Sequence, residues 1–101
     1  MLQDKYKFTH NTNTIFWLHS SLQASMQANS NSKNSICLLT FLAMLPFIKR
    51  IENKVQLTAS PIKVSLKRTE AVAFHIAYKH GFIPTNDYLI QEIFTAIDKT
   101  I

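Results

Sequence analysis

The sequence predicts an α+β fold that is mostly α, with four helices and one small β-hairpin. Apolar residues recur at helical spacing over several segments, whereas two short stretches alternate apolar and polar residues as strands do. The 101 residues include one glycine and three prolines, so little interrupts the helical segments. A chain of this length forms one hydrophobic core, and residues 1–101 are therefore predicted to be a single domain.

The first predicted element is an extended arm or a short edge strand within residues 1–13. Tyr6 and Phe8 alternate there with Lys5 and Lys7, which is the period of two that a strand requires. The pattern leaves open whether this arm pairs with the hairpin predicted further along the chain.

The first helix is predicted from Thr14 to Asn29, after a cluster of Thr and Asn residues suited to capping. Its apolar stripe at helical spacing consists of Ile15, Leu18, Leu22 and Met26. The polar stretch 29–35, NSNSKNS, then predicts a loop because Asn and Ser side chains compete for backbone hydrogen bonds.

The run ICLLTFLAMLPFI, residues 36–48, is the most hydrophobic part of the chain and predicts the second helix. At about 1.5 Å per residue it spans ~20 Å, which is too short to cross a hydrocarbon layer of about 30 Å, so a membrane is disfavoured as partner. We therefore expect a central helix that is buried on all sides, with the other helices packed around it. Pro46 predicts a kink or a restart within it. A peripheral membrane role, suggested only by this run beside Lys49 and Arg50, is left as a third alternative.

The β-hairpin is predicted between the second and third helices. Two runs with a period of two flank the segment ASP, residues 59–61, and such runs form strands with one buried face. Their apolar members are Val55, Leu57, Ile62, Val64 and Leu66.

Two further helices complete the predicted fold. The third runs from residue 67 to Gly81, which stands where a left-handed C-terminal cap is needed, and Phe82 supplies the accompanying apolar contact. The fourth begins near Asp87 and carries a wide apolar band opposite polar residues.

The sequence contains no constellation that predicts catalysis, so we expect a protein that is not an enzyme and needs no cofactor or metal. One glycine is too few for the loops that cradle nucleotide phosphates. Cys37 lies in the most apolar run, where a small buried hydrophobe is expected instead of a nucleophile. His75 and His80 point about 140° apart on a helix and cannot share a metal ion. The six carboxylates are all expected on solvated faces or helix ends.

The cellular location is predicted from the cysteine count and from the first residues. A lone cysteine cannot form an internal disulfide, which fits a reducing compartment. The segment MLQDKYKFTHNTNT has no apolar stretch of the kind that a secretory signal contains. We expect a cytoplasmic protein.

The charge distribution suggests one class of partner. The formal net charge is +5, and six of the eleven basic residues lie within residues 49–68, together with one acid, Glu52. Such a cluster is typical of surfaces that contact nucleic-acid phosphates without reading the bases. The candidate phosphate-contacting residues are Arg50, Lys54, Lys63, Lys67, Arg68 and Lys79.

A helix-turn-helix arrangement of the last two helices is a further alternative, and it is disfavoured. Ala77, Gly81 and Phe82 roughly match the motif's small residue, turn glycine and following apolar residue. The helix that would enter the groove, however, carries mainly acidic charges, which phosphates repel.

The first helix suggests the hypothesis that we place first. Trp17, Ala24 and Ala28 lie opposite its apolar stripe and give it a second face with one large ring and two small residues. Trp is favoured at the centres of protein interfaces, although a ring that folds back over its own domain explains the pattern about as well. We predict a non-catalytic protein that acts through protein–protein contact and forms a homo-oligomer through these three residues, with nucleic-acid binding as the alternative.

Overall fold

Six secondary-structure elements follow one another in the computed structural model, which describes residues 1–57 and 60–101. They are β1 (Lys5–His10), α1 (Thr12–Ala28), α2 (Ser35–Leu57), β2 (Ile62–Lys67), α3 (Arg68–Lys79) and α4 (Tyr88–Asp98). The predicted fold class, α+β and mostly helical with four helices and two antiparallel strands, is confirmed at this level.

The two strands form one antiparallel sheet although two helices separate them in sequence. The register runs from Lys5 opposite Lys67 to His10 opposite Ile62. Because side chains alternate along a strand, Tyr6 and Val64 point into the core while the lysines point outward. The N-terminal segment therefore pairs with β2, which answers the question that the sequence left open.

The predicted hairpin between the second and third helices is wrong. Its first strand, at Val55 and Leu57, is instead the end of α2. Two apolar residues in alternation are a short signal, whereas Ile48, Ile51 and Val55 continue the helical stripe at spacings of three and four. The partner of β2 is β1. Ala59 of the predicted loop and the preceding Thr58 lie outside the described residues.

Helix α1 confirms the predicted stripe. Ile15, Leu18 and Leu22 are buried, and Met26 packs partly against the core. The Oδ1 atom of Asn11 accepts a hydrogen bond of 2.8 Å from the backbone N–H of Thr14, so a side chain caps the first turn.

Helix α2 lies against α1, α3 and β2 with one face only. The buried apolar residues of that inner face are Cys37, Phe41, Met44, Phe47, Ile48 and Ile51. The outer side of its first half is exposed, so the prediction of a helix buried on all sides is wrong for that side. The helix continues through Pro46, which lies on the exposed side. Neither α2 nor any other helix in the described ranges combines the length and apolar character needed to cross a membrane.

Helix α3 ends in the C-terminal cap at Gly81 that the sequence predicted. Gly81 has a φ of +73°, the left-handed conformation that favours glycine, and the N–H of Phe82 donates a 2.9 Å hydrogen bond to the carbonyl of Ala77. Asp87 then caps α4 by accepting a hydrogen bond from the N–H of Ile90.

Candidate functional site

Large apolar side chains cover the solvent-facing side of α2. Their exposed fractions are 50% for Ile36, 39% for Leu38, and 64% for both Leu39 and Leu42. At about 100° per residue these positions fall on one side of the helix, opposite its buried face. We call this surface, with the exposed Ala43, the outer α2 face.

Shallow apolar grooves flank the outer α2 face. One, of about 260 Å³, lies between α2 and α3 and is lined by Val72 and Ile76 beside Leu39. The other, of about 160 Å³, lies between α2 and α1, where Met26 faces Leu42. The surface therefore consists of a ridge of leucines with a groove on each side.

The outer α2 face carries no charge. Residues 34–48 include no acidic or basic side chain, and the nearest charged residues along the chain are Lys33 and Lys49. Contiguous apolar surface of this kind on a folded domain is typical of contact sites for other proteins. The sequence could not reveal it, because an apolar helix has the same composition whether its own domain or a partner covers it.

The three residues that the sequence assigned to an interface lie on the outer side of α1. Trp17 is 64% exposed, and Ala24 and Ala28 are exposed as well. The ring of Phe16, itself 47% exposed, meets the ring of Trp17 edge-on with 5.8 Å between centroids. The rest of that side is polar, since residues such as Ser20 share it. It is therefore less apolar than the outer α2 face.

Two of the candidate phosphate-contacting residues are engaged with β2. Arg50 and Lys54 lie one turn apart on α2; Nη2 of Arg50 donates to the carbonyl of Ser65 at 2.9 Å, and Nζ of Lys54 donates to the carbonyl of Lys63. These carbonyls belong to the strand edge that faces away from β1. The two side chains therefore satisfy a sheet edge that would otherwise carry unpaired acceptors.

Glu70 corrects the prediction that every carboxylate is solvated. It is 3% exposed at the start of α3, and both of its oxygens accept hydrogen bonds from Arg50, at 2.8 and 2.5 Å. It also accepts one from the backbone N–H of Lys67. The burial of Glu70 raises the pKa of its carboxyl, but these hydrogen bonds outweigh burial and hold that pKa below its ordinary value. The hydrogen bond to Glu70 raises the pKa of Arg50.

Arg68, His75 and Lys79 lie within about 40° of one another around α3, but they make separate contacts. Arg68 donates to Asp4 at 2.8 Å. His75 does not face open solvent: its ring lies between α3 and α4, 2.9 Å from an oxygen of Asp98 and stacked 4.9 Å from the ring of Phe94. Lys79 is exposed, and its Nζ lies 5.7 Å from the centroid of the same ring. The three residues therefore do not form one anion-facing row.

Lysines gather on the outer side of the sheet. Lys63 and Lys67 of β2 were predicted, but the structure brings to them two more that the sequence interpretation left out, Lys5 and Lys7 of β1. All four are exposed. The signal was present in the alternation of KYKF, but the pairing of β1 with β2 was not known. We call these four residues the lysine face.

Among residues 1–57 and 60–101, no three side chains of His, Cys, Asp or Glu come together as a metal site requires. Cys37 is buried against the core and is 1% exposed.

In the described part of the chain, the α+β fold therefore exposes an apolar surface on α2 and a cationic surface on the sheet. Comparison of the chain with protein-family models, with curated proteins and with solved structures gives no match. The surfaces themselves are therefore the features that bear on function.

Proposed function

We propose that this is a non-catalytic protein that acts through protein–protein contact, with the outer α2 face as its interface. The observation that carries the proposal is the exposure of four large apolar side chains, Ile36, Leu38, Leu39 and Leu42, on one uncharged side of α2. Covering a leucine that is about two-thirds exposed stabilises a complex by roughly 1 kcal/mol, so leaving this face in water is unfavourable. The proposed setting is the cytoplasm, which suits a chain with one buried cysteine.

We infer that the partner is a second copy of this chain. A ridge with a groove on each side can be self-complementary, because the Leu39–Leu42 ridge of one copy would pack into the groove beside α3 on the other. The net charge of +5 makes two copies repel each other, and an uncharged contact face keeps that repulsion small. In such a dimer α2 would be covered on both sides and would become the central apolar helix.

The proposal is tested by the mass of the protein in solution as a function of concentration. Light scattering should give twice the 11.6 kDa chain mass at high concentration and a fall toward one chain mass on dilution. The variant Leu39→Ser/Leu42→Ser removes four leucines from a symmetric dimer. At roughly 1 kcal/mol each, this should weaken dimerisation about a thousand-fold.

Trp17→Ser is the matched control, because Trp17 has the same exposed fraction as Leu39 and Leu42 but lies on α1. It should leave the dimer mass unchanged, and circular dichroism should confirm that both variants keep the helical content of the parent. A parent protein of one chain mass at every concentration would contradict the proposal. Loss of the dimer only in Trp17→Ser would move the interface to Trp17, Ala24 and Ala28.

A further inference from the structure

The lysine face has a geometry that concentrates positive charge. Lys5 and Lys67 stand directly opposite each other in the register, while Lys7 faces Ser65 and Thr9 faces Lys63. The carbonyls of Ser65 and Lys63 are turned away from β1 toward α2, so these cross-strand pairs are of the type whose Cα atoms lie only about 4.5 Å apart.

This arrangement is unfavourable for the isolated protein. Like charges directly opposite each other destabilise a sheet, and residues two apart on one strand are separated by only about 7 Å. That distance is below the screening length of about 8 Å at physiological salt. Within the described part of the chain none of the four lysines forms an ion pair, whereas Arg50 and Arg68 each have a carboxylate partner.

The same face opens into a groove that contains hydrogen-bond donors. Its open volume is about 360 Å³, and it is lined by Lys7, Thr9, Lys54, Lys63, Val64 and Ser65. Three ammonium groups and two hydroxyls are groups that commonly contact phosphate oxygens in protein–nucleic acid complexes. The lining includes no carboxylate that would repel an anion.

We propose that the lysine face and this groove bind the phosphate backbone of a nucleic acid without sequence preference. Regularly spaced lysines on the two strands suit the regularly spaced phosphates of a nucleic-acid backbone. The outward-facing residues of β1 and β2 are Lys, Thr and Ser, and none of them has an aromatic ring on which a base could stack. A membrane surface is disfavoured because the lysine face has no apolar side chain to enter the lipid. This surface differs from the predicted set in that it excludes Arg50, Arg68 and Lys79 and includes Lys5 and Lys7.

The test is fluorescence anisotropy of a labelled random-sequence DNA duplex titrated with the full chain at 50 and 200 mM salt. The four lysines of the lysine face predict that affinity falls about 150-fold over this range; Lys54 is not counted, because its Nζ already donates to the carbonyl of Lys63. Lys7→Gln/Lys63→Gln should bind more weakly at 50 mM, and with two contacts left its affinity should fall only about 12-fold over the same range. A second random sequence should bind with the same affinity as the first.

The matched control is Lys33→Gln/Lys99→Gln, which loses the same charge from the α1–α2 loop and from the end of α4. It should keep the parent affinity and salt dependence. Equal weakening by both variants, or no weakening by Lys7→Gln/Lys63→Gln, would overturn the proposal. So would polyglutamate or anionic phospholipid vesicles that compete as well as unlabelled duplex at equal charge concentration.

Discussion

Arg50 of α2 and Glu70 of α3 form a two-pronged ion pair, in which Nη1 of Arg50 lies 2.8 Å from Oε2 of Glu70 and Nη2 lies 2.5 Å from Oε1. The guanidinium also holds the carbonyl of Ser65, and the carboxylate also holds the backbone N–H of Lys67. One ion pair therefore ties two helices to the strand between them, and the stability of the fold should depend on it.

Replacing Glu70 with Gln should lower the free energy of unfolding by about 2 kcal/mol, because it removes the charged acceptor of the half-buried Arg50 guanidinium and places a neutral amide in the buried position of Glu70. The urea midpoint should fall with no change in slope. Glu52→Gln is the control: the Glu52 side chain is 46% exposed, and the same change there should cost less than about 0.5 kcal/mol. Equal midpoints for the two variants would argue against the role of the pair.

The same ion pair predicts an acid-dependent loss of stability. Because the pKa of Glu70 is lower in the folded chain than its ordinary value of 4.5, its contribution is fully present above that value. It is lost as the pH falls below 4.5 toward the folded-state pKa. Urea unfolding from pH 7 to pH 3 should therefore show the parent and Glu70→Gln converging in the acid range. A stability difference that stays constant below pH 4.5 would contradict this.

Arg50→Lys separates a structural role from a charge role at this position. Lysine keeps the positive charge but cannot make the two-pronged contact with Glu70 while also reaching Ser65, so stability should fall by about 1 to 2 kcal/mol. The affinity for a nucleic-acid duplex should stay at the parent value, since Arg50 is not part of the lysine face. Lys49→Arg, an exposed change next to it, serves as the control for stability. If the Arg50→Lys variant is fully folded but binds the duplex more weakly than the parent, Arg50 does contact phosphate as the sequence predicted.

Substituting Gly81 in the turn after α3 should change stability only through the backbone conformation of that residue. A Cβ added at Gly81 meets no heavy atom within 4 Å, so Gly81→Ala should cost about 1 kcal/mol through its positive φ alone. Gly81→Asn should cost less, because Asn tolerates the left-handed conformation. Thermal unfolding of the two variants gives the comparison. An Ala variant as stable as the parent would mean that the turn relaxes to another conformation.

Local patterns in the sequence were sufficient for α1, α3, α4 and the first half of α2, and for the strand character of residues 62–66. The stripe of α1 and the cap at Gly81 depend on neighbouring residues alone, and both were confirmed. The partner of β2 could not be derived in this way, because it lies more than fifty residues away and any strand with a buried face would have fitted. Val55 was misassigned for a related reason, since two alternating residues suit a strand as well as a helix end.

The candidate surfaces likewise depend partly on local sequence and partly on tertiary contacts. Lys63 and Lys67 were identified from charge density, but Lys5 and Lys7 joined them only through strand pairing. Arg50 looked like a free cation in the sequence because its partner, Glu70, lies twenty residues further on. The outer α2 face was hidden in a run whose hydrophobicity indicated burial, while only tertiary packing decides which side of that run is covered.

The most direct test of the central claim is hydroxyl-radical footprinting of the unmodified chain at two concentrations, one above and one below the concentration at which its mass halves. If a second copy covers the outer α2 face, the peptide containing Leu38, Leu39 and Leu42 is oxidised several-fold more slowly at the high concentration, while Trp17 is oxidised at the same rate at both concentrations. Equal oxidation of that peptide at both concentrations, or protection of Trp17 alone, would show that a second copy does not cover the outer α2 face.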